Sequence, residues 1–262
     1  MLEVGCDVLQ DFLSGHIPVA RYLNTQALEQ LPHWNKVPDA QLQAVLLASG
    51  IQADSCVLLY SRNPLAAARA AHLMLYAGVR DVRLLDGGMA AWQAAGGALQ
   101  AGHAPEHVPA STWGAPFPTR PEFLIDLNTV RTWADAPGYA LVSIRSQAEF
   151  LGQTSGYDYI PRRGEIPGAL WGHAGKDGDV QGMQSFHTPE GRMRPASEIA
   201  DMWAQAGIHP SLQLAFYCGT GWRASLAFFY AWLMGWERIA VFDGGWMEWS
   251  THPELPVALR TL

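Results

Sequence analysis

The chain has 262 residues, of which 49% are hydrophobic and 16% charged, and its formal net charge is −7. This composition is typical of a folded protein long enough for two domains. The acidic balance argues against nucleic-acid binding, and no apolar run is long enough to cross a membrane. The N-terminus does not resemble a signal peptide. We therefore expect no nucleic-acid or membrane partner and a cytoplasmic location, or a periplasmic one if an upstream segment is missing.

The first half of the chain predicts a parallel α/β domain over residues 1–100. Its continuous apolar run Cys56–Tyr60 is typical of a strand buried inside a parallel sheet. Strand, helix and strand at this spacing predict a right-handed βαβ unit. The predicted elements are the strand Leu2–Gly5, the strand Cys56–Tyr60, the helix Leu65–Ala77 with Pro64 before it and Gly78 after it, and the strand Val82–Leu85.

Residues 101–121 contain five prolines, which prevent regular structure and indicate a linker. These prolines are Pro105, Pro109, Pro116, Pro118 and Pro121. The second domain, over residues 122–262, repeats the element order of the first. Its predicted elements are the helix Leu124–Ala134, the strand Leu212–Tyr217, the helix Ala224–Met234 and the strand Ile239–Phe242.

The two halves are copies of one another. Residues 60–92 align with residues 217–249 at a constant offset of 157, with eight identical positions. Only about two identities would be expected by chance from the usage of each residue type. The block Gly15–Ala20 likewise matches Gly164–Ala169. A repeat of this length indicates duplicated domains rather than a solenoid, whose units have about 20–50 residues.

Only the second copy has a cysteine at the end of its central strand. Cys218 follows this strand and precedes a short glycine-containing loop, which begins at Gly219, and a helix. Free backbone N–H groups and the positive end of a helix dipole meet a side chain placed there, and both stabilise a thiolate, the reactive form of cysteine. Ser61 occupies the equivalent position in the first copy. A serine alkoxide is harder to form, so we predict that the first domain is catalytically inactive.

The remaining cysteines, Cys6 and Cys56, are interpreted as small buried hydrophobic residues, because neither precedes a loop of free amides. The chain has no C-x-x-C pair, and three cysteines give no sign of a disulfide framework. We therefore expect no metal site and no cofactor.

These motifs together resemble a known family. The strand ending in Cys218, the block Gly164–Ala169 and the sequence Asp243-Gly244-Gly245 followed by Trp249 are similar to those of rhodanese domains. Two copies with the cysteine only in the second resemble tandem-domain sulfurtransferases that use thiosulfate or 3-mercaptopyruvate. The resemblance covers nearly the whole chain. It implies an α/β fold of two tandem rhodanese-like domains, each a parallel sheet flanked by helices.

The resemblance also implies a mechanism. Cys218 takes the outer sulfur of a small anionic donor, becomes a persulfide and passes the sulfur to cyanide or a thiol, such as a small protein of the thioredoxin type. The amides of residues 219–224 are expected to hold the sulfur anion, with Gly219 and Gly221 in left-handed backbone conformations. The other expected contacts are a hydroxyl hydrogen bond from Thr220, an apolar wall from Trp222, and donor binding by Arg223 and Arg145.

Several alternatives stay open from the sequence. Gly219 matches mercaptopyruvate enzymes, but the loop ends in Trp222-Arg223 where both donor classes usually have Val-Thr. Thiosulfate is the expected donor, and 3-mercaptopyruvate is the alternative. A further alternative is that the chain is a persulfide carrier or docking module, which receives its sulfur from a partner protein. A cysteine phosphatase is disfavoured, because four residues rather than five separate Cys218 from Arg223.

Arg145 has a second reading as well. It follows Ser143, which replaces the usual Asp, and it could pair with Glu149 instead of binding the donor. Glu165 replaces the histidine expected before Ile-Pro-Gly-Ala, whereas the first copy retains His16.

Overall fold

The computed structural model describes residues 1–104, 106–133 and 136–260. The chain divides into two compact units. The N-terminal unit comprises Met1–Pro32, Lys36–Pro121 and Glu190–Arg192, and the C-terminal unit comprises His33–Asn35, Glu122–Pro189 and Met193–Leu262. The proline-rich segment therefore lies with the N-terminal unit, where buried Trp113 packs edge-on against Phe117 with their ring centroids 5.0 Å apart.

The first half of the chain is built on a parallel sheet. Its strands are β1 (Leu2–Gly5), β2 (Arg21–Asn24), β3 (Glu29–Gln30), β4 (Asn35–Lys36), β5 (Cys56–Tyr60) and β6 (Asp81–Leu84), and its helices are α1 (Leu9–Ser14), α2 (Asp39–Ala48), α3 (Pro64–Ala77) and α4 (Gly88–Ala94). Four of the strands pair in parallel in the order β2-β1-β5-β6, while β3 and β4 form a separate two-stranded sheet.

Local sequence determines both ends of α3. The Asn63 side chain accepts a hydrogen bond from the Leu65 N–H, Pro64 occupies the first turn, and Gly78 ends the helix with φ +97°. Every residue of α3 after Pro64 is buried, and all of these residues except Arg69 and His72 are hydrophobic, as expected of a helix enclosed within a domain. The predicted βαβ unit is present in this half.

The second half of the chain is built on a five-stranded parallel sheet. Its strands are β7 (Leu124–Ile125), β8 (Tyr139–Ser143), β9 (Leu170–Trp171), β10 (Gln213–Tyr217) and β11 (Ile239–Phe242), and its helices are α5 (Leu127–Trp133), α6 (Gln147–Phe150), α7 (Ala196–Gln205), α8 (Trp222–Leu233) and α9 (Gly245–Thr251). The order is β7-β11-β10-β8-β9, so β10 lies in the middle. Ligand sites of such sheets lie at the carboxyl ends of the strands, where Cys218 follows β10.

The α/β class with two helix-flanked parallel sheets is confirmed, with local corrections. The helix predicted over Leu124–Ala134 is instead the short strand β7 followed by α5, and Ala134 lies outside the described residues, as does Pro105. Cys6 and Cys56 are exposed, so their interpretation as buried residues was wrong. Cys56 is the first residue of β5 and Cys6 follows the last residue of β1, and strand ends are less enclosed than strand centres.

Within the described ranges, none of the helices has both the length and the apolar character needed to cross a membrane.

Candidate active site

Cys218 directly follows the central strand β10 and is enclosed by its own loop. Its side chain is buried, and Sγ accepts a hydrogen bond from the Gly221 N–H at 3.2 Å. The carbonyl oxygens of Cys218 and Gly219 accept hydrogen bonds from the N–H groups of Trp246 and Met247, at 2.7 and 3.0 Å. The first turn of α9 therefore holds the loop from one side, while the loop amide of Gly221 faces the sulfur.

The two loop glycines serve different purposes. Gly221 has φ +94° and immediately precedes α8, as expected for a residue in the left-handed region. The backbone of Gly219 is not in that region, so the expectation of a positive φ there was wrong. Gly219 is needed for space, because a Cβ atom at this position would lie 2.6 Å from Cζ and 2.8 Å from Oη of Tyr157.

The other loop residues differ in exposure. Thr220 is buried, and Trp222 is half-buried at the start of α8. The hydroxyl hydrogen bond expected of Thr220 and the apolar wall expected of Trp222 stay predictions.

Arg223 is fixed by a buried carboxylate. Its Nη1 and Nη2 atoms donate to Oε2 and Oε1 of Glu149 at 2.8 and 2.9 Å, and both side chains are almost fully buried. Burial alone would raise the pKa of Glu149, but the Arg223 guanidinium outweighs it and lowers this pKa to about 2. Glu149 therefore remains ionised at neutral pH and orients Arg223 at the end of the loop.

Arg145 belongs to the same buried network. Its Nη1 donates to the carbonyl oxygen of Gly164 at 2.7 Å and to Glu165 Oε2 at 3.4 Å, and its Nε approaches Glu149 Oε1 at 3.5 Å. The side chain is fully buried, and its guanidinium lies 5.0 Å from the ring centroid of Trp246. Pairing with Glu149 is therefore observed, although in the interior rather than on a surface. Donor binding by Arg145 and Arg223 stays a prediction.

Glu165 is a site residue to which the sequence assigned no role. Its carboxylate accepts hydrogen bonds from Ser143 Oγ at 2.6 Å, from the Ile166 N–H at 2.8 Å and from the Tyr217 hydroxyl. Burial and this carboxylate raise the pKa of Tyr217 well above its usual value. Two linked differences from the rhodanese pattern could have indicated this role of Glu165. An acid is absent at position 143 and present at position 165, so the carboxylate partner of Arg145 comes from a different segment.

Tyr157 was also missed. It lies in the irregular segment between α6 and β9, where no periodic pattern marks it. Its hydroxyl oxygen accepts a hydrogen bond from Arg223 Nη2 at 3.2 Å, and the guanidinium lies 5.8 Å from its ring centroid. Tyr157 thus contacts both the beginning and the end of the Cys218 loop.

The equivalent loop of the first copy has the same scaffold without the cysteine. Gly88 and Gly245 have φ +57° and +56°, and a Cβ on either would lie 2.6 Å from the carbonyl oxygen of Ser61 or Cys218, respectively. The Ser61 hydroxyl donates to the carbonyl oxygen of Asn63. Within the described part of the chain, no group of three or more His, Cys, Asp or Glu residues could hold a metal ion.

The fold and this site define a duplicated α/β protein with one cysteine loop, at the carboxyl edge of its second parallel sheet. The family model described as "Rhodanese-like domain" matches residues 6–95 and 126–252. The chain belongs to the rhodanese family and contains two copies of its domain.

Two curated relatives cover almost the whole chain. Thiosulfate sulfurtransferase YnjE of Escherichia coli K12 is 49% identical over 258 residues, which are 98% of this chain and 59% of YnjE. The "probable 3-mercaptopyruvate sulfurtransferase" of Pseudomonas aeruginosa PAO1 is 34% identical over an alignment of 264 positions, gaps included, which covers 97% of this chain and 87% of that protein. The chain therefore spans about three fifths of the first relative and most of the second.

Solved structures agree with the fold. The crystal structure of YnjE matches with a TM-score of 0.96 and 47% identity, covering 100% of this chain and 62% of that one. A structure of EanB with a cysteine persulfide and ergothioneine matches with a TM-score of 0.94 and 39% identity, covering 100% of this chain and 64% of that one. Another structure of EanB, a variant in complex with hercynine, matches equally well.

Proposed function

We propose that this chain is a sulfurtransferase that moves a sulfane sulfur from thiosulfate to a thiol or to cyanide through a persulfide on Cys218. The observation that carries the proposal is the enclosed cysteine loop, in which the Gly221 N–H faces Sγ at the end of the central strand. Membership of the rhodanese family and 49% identity to a thiosulfate sulfurtransferase support it.

The reaction has two balanced steps. In the first, the Cys218 thiolate attacks the outer sulfur of thiosulfate, a new S–S bond forms, and the S–S bond of thiosulfate breaks so that sulfite leaves with the electron pair. In the second, the acceptor attacks the outer sulfur of the persulfide, and the Cys218 thiolate is the leaving group. Nucleophilic catalysis thus divides one transfer into two easier steps.

The loop geometry supports both steps. Backbone N–H dipoles stabilise a sulfur anion without moving, because the loop is already held by Trp246 and Met247. The pairing of Arg223 with Glu149 keeps the first turn of α8, and with it the amide of Gly221, in position. The site therefore has its anion-stabilising groups arranged before the donor arrives.

The nature of the donor and the partner belongs to the proposal. The 34% identity to a 3-mercaptopyruvate enzyme supports that compound as the alternative donor. A persulfide carrier loaded by a partner protein uses the same loop, with a small thioredoxin-type protein as one possible thiol acceptor. All three readings require a persulfide on Cys218.

A second candidate concerns the acceptor. In EanB a threonine two positions after the persulfide cysteine was varied in a structure with hercynine, and Thr220 has the same spacing from Cys218. This match, with 39% identity over the whole chain, supports hercynine or a similar trimethylated histidine as an acceptor. Sulfur transfer to hercynine, followed by mass spectrometry of the small molecule, tests this reading.

Intact mass spectrometry tests the main proposal. The protein is incubated separately with thiosulfate and 3-mercaptopyruvate, alongside Cys218→Ser and the exposed-cysteine control Cys56→Ser. We expect a gain of one sulfur atom in the wild type and in Cys56→Ser, and no gain in Cys218→Ser. The donor that loads faster identifies the activity. No gain with either donor would reject the small-molecule reactions and leave the protein-loaded carrier.

A further inference from the structure

The hydroxyl end of Tyr157 lies at the rim of the Cys218 loop. At the beginning of the loop, its Cζ and Oη atoms occupy the space that a side chain at Gly219 would need. At the end of the loop, its Oη accepts a hydrogen bond from Arg223 Nη2 at 3.2 Å. Gly221, whose N–H faces Sγ, lies between these two contacts in the sequence. The phenol therefore contacts both the beginning and the end of the loop that surrounds the sulfur atom.

The hydrogen of the Tyr157 hydroxyl is available. Arg223 can only donate, so its contact uses a lone pair of Oη and leaves the O–H directed elsewhere. In the described residues 1–104, 106–133 and 136–260, no group accepts a hydrogen bond from this hydroxyl. The Sγ atom of Cys218, without a persulfide sulfur, does not accept a hydrogen bond from it either. A persulfide adds a second sulfur atom about 2.05 Å beyond Sγ, and this atom is the new acceptor that the loaded loop offers to the hydroxyl.

The surroundings keep this hydroxyl protonated. Burial raises the pKa of Tyr157 well above its usual value, Cys218 and Glu149 raise it further, and Arg223 opposes them. The charged and titratable groups that influence Tyr157 are Arg223, Cys218, Glu149 and Tyr159. An O–H group polarised by a neighbouring guanidinium is a stronger hydrogen-bond donor than an isolated phenol.

We propose that Tyr157 is a catalytic residue of the second step, whose hydroxyl donates a hydrogen bond to the outer sulfur of the Cys218 persulfide. This inference rests on the function proposed above. In that step an anionic acceptor attacks an anionic sulfur: cyanide and the persulfide anion give thiocyanate and the Cys218 thiolate, with atoms and charge balanced. No proton is consumed, but two negative charges must meet. A hydrogen bond to the outer sulfur reduces its charge where the new bond forms.

The first step makes a smaller demand on this hydroxyl. The Cys218 thiolate attacks with Sγ itself, which already has the Gly221 N–H as a partner. Within the described residues, no hydrogen bond joins Sγ to the Tyr157 hydroxyl. The structure therefore assigns Tyr157 to discharge of the persulfide rather than to its formation. A residue that only supported packing would affect both steps, so a defect confined to discharge distinguishes the proposed role from a structural one.

Single-turnover kinetics of the full chain test the assignment. Wild type, Tyr157→Phe and Tyr139→Phe are loaded with thiosulfate, freed of donor and mixed with cyanide, and the loss of sulfur is followed by intact mass. Phenylalanine keeps the ring against Gly219 and removes only the hydroxyl. Tyr139 is a matched control, because it is exposed at the opposite end of the sheet, at the first residue of β8.

We expect Tyr157→Phe to load like the wild type and to discharge about 10- to 100-fold more slowly, the effect of removing one hydrogen bond to a charged group. Tyr139→Phe keeps both rates. The ratio of wild-type to Tyr157→Phe discharge rates should also rise with pH. Without the hydroxyl, discharge proceeds mainly from the fraction of persulfide whose outer sulfur is protonated, and this fraction falls as the pH rises. That proton returns to solvent with the products, so none is consumed overall, and the ionisation of cyanide cancels in the ratio of the two rates.

Two results would overturn the assignment. One is discharge of Tyr157→Phe at the wild-type rate. The other is an equal loss of loading and discharge with no change in the pH dependence of the ratio, which would indicate a structural role. Failure of the wild type itself to load is a different outcome. It rejects the small-molecule function on which the inference rests, so the two failures are distinguishable.

Discussion

Replacing Glu149 with glutamine tests the buried charge network most directly. The Glu149→Gln side chain keeps its shape but loses its charge, so the guanidinium of Arg223 stays buried without a balancing anion. The two bonds that it disturbs are 2.8 and 2.9 Å long, between side chains that are almost fully buried. Arg145, whose Nε lies 3.5 Å from the same carboxylate, also loses part of the negative charge that balances its own.

The expected magnitude follows from the pKa of Glu149. Its displacement from an ordinary value of 4.5 to about 2 corresponds to roughly 3 kcal/mol, since each unit represents about 1.4 kcal/mol. Breaking a buried ion pair by removing one partner typically costs about 3–5 kcal/mol. We therefore expect the free energy of unfolding to fall by about 3 kcal/mol or more at neutral pH.

The pH dependence gives a second prediction with a definite sign. The pKa of Glu149 is lower in the folded than in the unfolded state, so its contribution is fully present above pH 4.5 and is lost as the pH falls toward about 2. Glutamine does not titrate. The difference in stability between wild type and Glu149→Gln should therefore shrink over this acidic range.

Urea unfolding followed by tryptophan fluorescence, at neutral and acidic pH, measures both effects. Glu198→Gln is the matched control, because Glu198 pairs with Arg194 at 3.3 Å with both side chains at least 41% exposed. An exposed pair of this kind contributes about 0–1 kcal/mol. The reasoning is refuted if the two variants lose equal stability, or if the difference for Glu149→Gln is the same at both pH values.

Two further predictions concern the repeat. Gly245→Ala should destabilise the chain by at least about 1–2 kcal/mol and slow persulfide loading, because a left-handed alanine would press on the Cys218 carbonyl. Gly88→Ala should lose similar stability against the Ser61 carbonyl but load normally; equal loading defects by mass spectrometry would contradict this pairing. Ser61→Cys, made in the Cys218→Ser background, should gain no sulfur, since Pro64 removes an N–H from that loop. A sulfur gained there would disprove the predicted inactivity of the first domain.

The fold was predictable where its signals are local. The strand β5, the helix α3 and its end at Gly78 follow from an apolar run, a proline and a glycine that are close in sequence. The sequence at Leu124 predicts a single helix because β7 has only two residues, too few for a strand period to appear. The exposure of Cys6 and Cys56 depends on what packs beside the strand ends, which the sequence of a strand does not contain.

The site was predictable only in part, for a related reason. The position of Cys218 follows from its strand, loop and helix, all contiguous in sequence. The partners of Arg145 do not, since Glu165 and the carbonyl of Gly164 reach it from another segment. Tyr157 is separated from the cysteine loop by residues 158–217. Its role depends on tertiary packing that brings its ring to Gly219.

The buried network has one more consequence, for the two states of the cysteine. Arg145 and Arg223 carry two positive charges, and Glu149 and Glu165 carry two negative ones, so the four groups sum to zero. A sulfur anion on the loop is thus stabilised by backbone dipoles, and neither arginine has to leave its carboxylate partner to balance it. Sulfur can arrive and depart while the interior charges keep their partners, so the loaded and empty forms should share one conformation and nearly one stability.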